Sequence, residues 1–185
     1  MSSALKSAER STAFALSFLE IQTMPRTTPA DLVDSYLNSL PQLRRLLVDM
    51  TEAELRARPV PGKWSTLEVI GHLVDSEQAW CHRIKRVIAE ERPLWIGYDQ
   101  SRFTATLDYH AHDPGELLTL LEAMRQQMAR TLRGLPGSAW QRAGIHSEWG
   151  LMTLDEMVLA EAEHIPHHMK HISEKRHALG LPDVD

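Results

Sequence analysis

The chain reads as an all-α domain, an up-down-up-down four-helix bundle, and three observations predict this. Four segments each open on a helix N-cap signal and continue with apolar residues at helical spacing. No alternating run of useful length suggests a strand, because the β-branched residues are scattered. The 185 residues suit one domain with a single substantial core.

Thr28-Pro29-Ala30-Asp31 opens the first helix, with Pro29 at the first helical position and Leu32, Tyr36, Leu40 and Leu47 recurring behind it. Pro41 lies inside this run and is expected to kink or split it. The second helix starts at the capping box Ser65-Thr66-Leu67-Glu68 and runs to about Glu91, ahead of Pro93. The third starts at Asp113-Pro114-Gly115-Glu116 and continues through Leu117, Leu121, Met124, Met128 and Leu132 to Gly134. The fourth begins at a second capping box, Thr153-Leu154-Asp155-Glu156, and ends at Gly180 with Pro182 beyond. The link from Pro93 to His112 carries Trp95, Tyr98 and Phe103, so it is expected to pack over the bundle and to hold a short helix. The segment from Pro136 to Met152 also carries aromatics, Trp140 and Trp149, and is not expected to be a mere linker. Residues 1–27 are expected to be an N-terminal extension and 28–185 the bundle domain.

Acidic residues outnumber basic ones by 25 to 20, which leaves no basic footprint for nucleic acid. No apolar run approaches the ~18 residues of a membrane span. Ala13 to Leu19 is short, is closed by Glu20 and lacks a cleavage site, so export is not expected. A lone Cys81 suits a reducing cytoplasm and, within an apolar helix, reads as a buried small residue.

The polar residues on the helices carry the functional signal. His164, His167, His168 and His171 fall within eight positions of the fourth helix. His164 and His168 are one turn apart on one face, a spacing at which two imidazoles can share one metal ion. His168 and Glu161 lie on the apolar stripe, where polar groups are costly unless paired or metal-bound. His167 points further round towards solvent, and His171 lies on the flank as a candidate pocket wall. Pro166 should bend the helix there. In the second helix Glu77 falls on the apolar stripe, but His72 sits about 130° from the stripe centre, and periodicity alone makes it a surface histidine.

The chain resembles the DinB/YfiT-like superfamily. The resemblance rests on Pro61-Gly62-Lys63-Trp64-Ser65, Gly71-His72-Leu73-Val74-Asp75-Ser76-Glu77, Gly97-Tyr98-Asp99, Thr153-Leu154-Asp155-Glu156 and His164-Ile165-Pro166-His167-His168. It spans roughly Pro29 to Leu179. It implies a bundle, commonly a homodimer, that holds a divalent nickel or zinc ion through His72, His164 and His168. It also implies either transfer of a low-molecular-weight thiol to an electrophile or hydrolysis of a small-molecule substrate, since a bound ion can make thiol or water nucleophilic at neutral pH. Glu77 and Asp75 are candidates for base or for acceptor of a ligand N–H. Trp64, Trp80, Tyr98 and His171 are candidates for the pocket lining. A zincin protease is set aside because Ile165 follows His164, and a di-iron site because Glu161-Ala162-Glu163-His164 has no matching Glu-x-x-His on another helix. The competing class is a non-catalytic bundle that binds metal or a small molecule.

Overall fold

The computed structural model describes residues 27–184. Residues 1–26, and with them nearly all of the expected N-terminal extension, lie outside the described part. Four long helices form the bundle: α1 (Pro29–Leu47), α3 (Thr66–Ala89), α5 (Pro114–Arg133) and α6 (Leu154–Ala178). A five-residue helix α2 (Glu52–Arg56) precedes α3, and α4 (Gln100–Thr106) lies in the link from α3 to α5. None of the described helices is long and apolar enough to cross a membrane.

The start signals act as their chemistry demands. Thr28 accepts from the Asp31 amide at 3.2 Å and Asp113 from the Glu116 amide at 2.8 Å. Ser65 and Glu68 exchange both bonds of a capping box, at 3.1 and 2.7 Å. Glu156 accepts from the Thr153 amide at 2.9 Å. At the far end of α6, Gly180 takes a φ of +73°. Its amide and that of Leu181 then reach the carbonyls of His177 and Arg176 at 3.0 Å each, a Schellman closure. Neither internal proline splits its helix: α1 is continuous across Pro41 and α6 across Pro166. Pro41 faces solvent, where the carbonyl it leaves unpaired can be hydrated.

The helix directions correct the expected order. Arg44 pairs with Glu122 and Arg133 with Asp34, both at 2.7 Å, so α1 and α5 run antiparallel. Arg176, near the end of α6, reaches the Leu46 carbonyl at the end of α1, so these two run parallel. One core cluster holds Leu67 and Ile70 with Leu117 and Leu121, and the other holds Ile84 and Val87 with Met128 and Leu132. Helices α3 and α5 are therefore parallel, and the bundle is up-down-down-up. The main contacts are α1 with α6 and α5, and α3 with α5 and α6.

The link between α3 and α5 is the physical reason. It does not turn back at once but retraces α3 from end to start. Leu94 accepts from Arg86 at 2.8 Å, Ile96 from Arg83 at 3.1 Å, the Tyr109 hydroxyl bonds Asp75, and His110 meets Ser65 at 2.9 Å. Having climbed the ~36 Å of a 24-residue helix, the chain re-enters the bundle where α3 began. Gly71 permits this return, because a Cβ there would stand 2.2 Å from the Tyr109 ring.

Strand is scarce, as expected, but three short segments do pair. Residues Leu94–Trp95 (β1), Ala143–His146 (β2) and Gly150–Thr153 (β3) form a small sheet, with β1 parallel to β2 and β2 antiparallel to β3. Segments of two to four residues are too short to show alternation, and they pair because the two aromatic links meet at one end of the bundle. Gly144 lies beneath the Trp95 ring, where a Cβ would come within 2.0 Å.

Candidate metal centre

Helix α3 brings His72 and helix α6 brings His164 and His168 to one buried point. They are 1%, 0% and 5% exposed. The Nε2 atoms of His72 and His164 are 3.3 Å apart, those of His168 and His164 3.1 Å, and one ligand atom from each histidine lies within 4.8 Å of the others. Three nitrogens each ~2.1 Å from one ion, at angles between the octahedral and the tetrahedral, stand ~3.0–3.4 Å apart. Hydrogen bonding cannot explain the cluster equally well. A single Nε2 offers either one proton or one lone pair, so His164 cannot satisfy both neighbours.

Electrostatics favours the ligand-competent form. Burial pushes His72 down to about 4, aided by the nearby His167. Burial, then the neighbouring imidazoles, hold His164 and His168 well below the usual histidine range. Neutral imidazoles present free lone pairs, as metal binding requires. His72 is buried although it lies off the main stripe of α3, because its face is turned to α6 and the Trp64 ring packs against it at 5.2 Å.

The remaining candidates have distinct positions. His171 stands at the rim, its ring 6.2 Å from that of His168 and its Nδ1 3.4 Å from Glu174. His167 is half-buried between His168 and His171. Asp75 is tied to the Tyr109 hydroxyl and so fastens the returning link; burial raises its carboxyl. Trp80 is stacked with Trp149 in the core at 6.1 Å. The Tyr98 ring leans on Phe103, and its hydroxyl is buried.

Glu77 is engaged in the centre of the bundle. Its Oε2 accepts from Arg125 Nε at 2.7 Å, and its Oε1 accepts from the Tyr36 hydroxyl and from Cys81 at 3.3 Å. Arg125 goes on to the Tyr36 carbonyl at 2.6 Å, Ser39 at 3.0 Å and the Glu161 carbonyl at 2.8 Å, joining all four long helices. Glu161 continues the network towards the histidines, with Oε2 3.6 Å from Arg125 and Oε1 3.9 Å from His164 Nδ1. Burial and then Glu77 push the Glu161 carboxyl well up. The reading from sequence missed Arg125, yet a signal was present: Arg125 continues the Leu117, Leu121, Met128, Leu132 stripe of α5.

A family model described as the DinB superfamily matches residues 38–172. A proposed metal-dependent hydrolase of Oceanobacillus iheyensis is 30% identical over 147 residues, covering 77% of this chain and 84% of its own length. YfiT of Bacillus subtilis, also proposed to be a metal-dependent hydrolase, is 27% identical over 140 residues, covering 75% of this chain and 79% of its own. A solved structure of YfiT, described as a four-helix bundle of unusual topology, superposes with a TM-score of 0.79 at 24% identity, over 86% of this chain and 94% of that one. A mycothiol-dependent maleylpyruvate isomerase shares the fold at a TM-score of 0.63 and 14% identity, over 80% of this chain and 60% of that one. With the family model spanning most of the bundle and the relatives covering most of their own lengths, this chain belongs to the DinB superfamily.

Proposed function

We propose that this chain is a metal-dependent enzyme acting on a small molecule, with a divalent nickel or zinc ion held by His72, His164 and His168. The observation that carries the proposal is the convergence of three buried Nε2 atoms at spacings that suit one ion. Such an ion, when bound, supplies the Lewis acidity that makes a thiol or a water nucleophilic at neutral pH. The reaction is transfer of a low-molecular-weight thiol to an electrophile, or hydrolysis. The first is supported by the mycothiol-dependent protein of the same fold, the second by the proposed activity of the relatives.

The protein's own residues supply position and environment. Trp64 packs on His72 and restricts its ring. Glu161 stands behind His164 on the Nδ1 side, its Oε1 3.9 Å away. His171 lies beside His168 at the rim, towards which an incoming molecule would approach.

The test uses untagged protein loaded with zinc or nickel. Elemental analysis should find one ion per chain in the wild type and none in His168→Ala. A panel of thiols and electrophiles should then show turnover that His168→Ala abolishes. Absence of a stoichiometric ion overturns the metal reading. A stoichiometric ion with no turnover across the panel favours the non-catalytic binding bundle.

A further inference from the structure

The face of α3 that carries His72 continues past the histidines into a second polar site. Ser76 and Arg83 lie about 40° and 20° from the direction of His72 at 100° per residue, so all three face α6 and the returning link. Ser76 is 0% exposed and Arg83 7%. Tyr98, carried back by the link, closes over both, with its ring 6.0 Å from the guanidinium.

A guanidinium and two hydroxyls meet here, and among the described residues no carboxylate is hydrogen-bonded to any of them. The Ser76 and Tyr98 hydroxyls are buried, face one another and have no other hydrogen-bond partner among the described residues. Arg83 donates only to the Ile96 carbonyl, lies over the Trp80 ring at 5.2 Å and forms no ion pair among the described residues. Glu161 and Glu148 attract it electrostatically. Burial keeps the Tyr98 phenol protonated, so it remains a donor. Buried cations and hydroxyls are normally paired, because an unpaired one forfeits its hydration. A guanidinium with two hydroxyls is the donor set that a carboxylate fits.

We propose that Arg83, Ser76 and Tyr98 form a carboxylate-binding subsite beside the three histidines, and that the small molecule used there carries an acidic group. This rests on the metal reading for its orientation: the reactive end lies at the histidines and the carboxylate at Arg83. The ligand is accordingly a thiol or substrate bearing a carboxylate, rather than a neutral one.

The test compares mercaptosuccinate with 1-thioglycerol, a neutral thiol, by calorimetric titration of zinc-loaded protein whose metal content is measured first. Mercaptosuccinate should bind about tenfold to a hundredfold more tightly, the range that charge-assisted hydrogen bonds provide. Arg83→Met should bring the two thiols to near-equal affinity while keeping one zinc per chain. Should Arg83→Met fail to fold, Tyr98→Phe and Ser76→Ala remain, and each should reduce the preference several-fold. Succinate should also bind the metal-free wild type and not metal-free Arg83→Met, which reads the subsite without the ion. Equal affinity for the two thiols in zinc-loaded wild type overturns the subsite and leaves the metal reading intact, whereas absence of zinc overturns the metal reading. A preference that survives Arg83→Met but disappears in Lys175→Met also overturns the subsite, by placing the carboxylate at another buried cation near the histidines.

Discussion

Replacing Glu77 by Gln is the sharpest probe of how this bundle is held together. Glu77 and Arg125 are each about 1% exposed and pair at 2.7 Å. The substitution keeps the volume, so no cavity forms, but it removes the charge opposite a guanidinium that has no route to water. One side of the new amide must also turn an N–H towards Arg125, or towards the Tyr36 hydroxyl and Cys81, all of them donors to the native carboxylate. Breaking a buried pair from one side costs 3–5 kcal/mol, and keeping the shape places this case near about 3 kcal/mol. For a domain of this size that lowers the melting temperature by about 6–12 °C. Scanning calorimetry at pH 7 reads the shift. The double variant Glu77→Gln/Arg125→Met should recover most of the loss, because the stranded cation goes with its partner. A Glu77→Gln protein that melts within about 2 °C of wild type would refute this account and reopen Glu77 as a free base for the reaction.

Two further outcomes follow from the same structure. Lys175 is 2% exposed, its ammonium meets only the His171 carbonyl among the described residues, at 3.2 Å, and burial pushes it down to about 8. The unfolded chain then binds the extra proton between about pH 8 and the usual lysine value near 10.5, so stability should rise with pH across that window. Lys175→Met should therefore be more stable than wild type by about 1–2 kcal/mol at pH 7, with the gap closing by pH 10, as followed by urea unfolding; a gap independent of pH would contradict the depressed lysine. Gly71→Ala should force the Tyr109 ring away and cost about 2–3 kcal/mol, with faster amide exchange along residues 94–111. Unchanged exchange there would mean that the link does not depend on this contact.

The sequence by itself determined the four long helices and nearly all of their starts. Capping chemistry and apolar periodicity are local, and Thr28, Ser65, Asp113 and Thr153 act within three residues of themselves. The spacing of His164 and His168 was legible for the same reason, since one helical turn separates them. His72 was not legible from periodicity: its burial comes from α6 and Trp64, and only a family resemblance pointed to it. The direction of α5 was likewise hidden, because helical signals are indifferent to which way a helix runs. It was decided by a link long enough to retrace α3 and anchored to it by Asp75, Ser65 and Gly71. Glu77 read as a candidate base because an acid on an apolar stripe is conspicuous, but its partner Arg125 lies 48 positions away. What only the tertiary structure decided is which polar residues meet: Glu77 with Arg125, and His72 with His164 and His168. Those meetings depend on helix packing across the whole bundle, which no local stretch of sequence encodes.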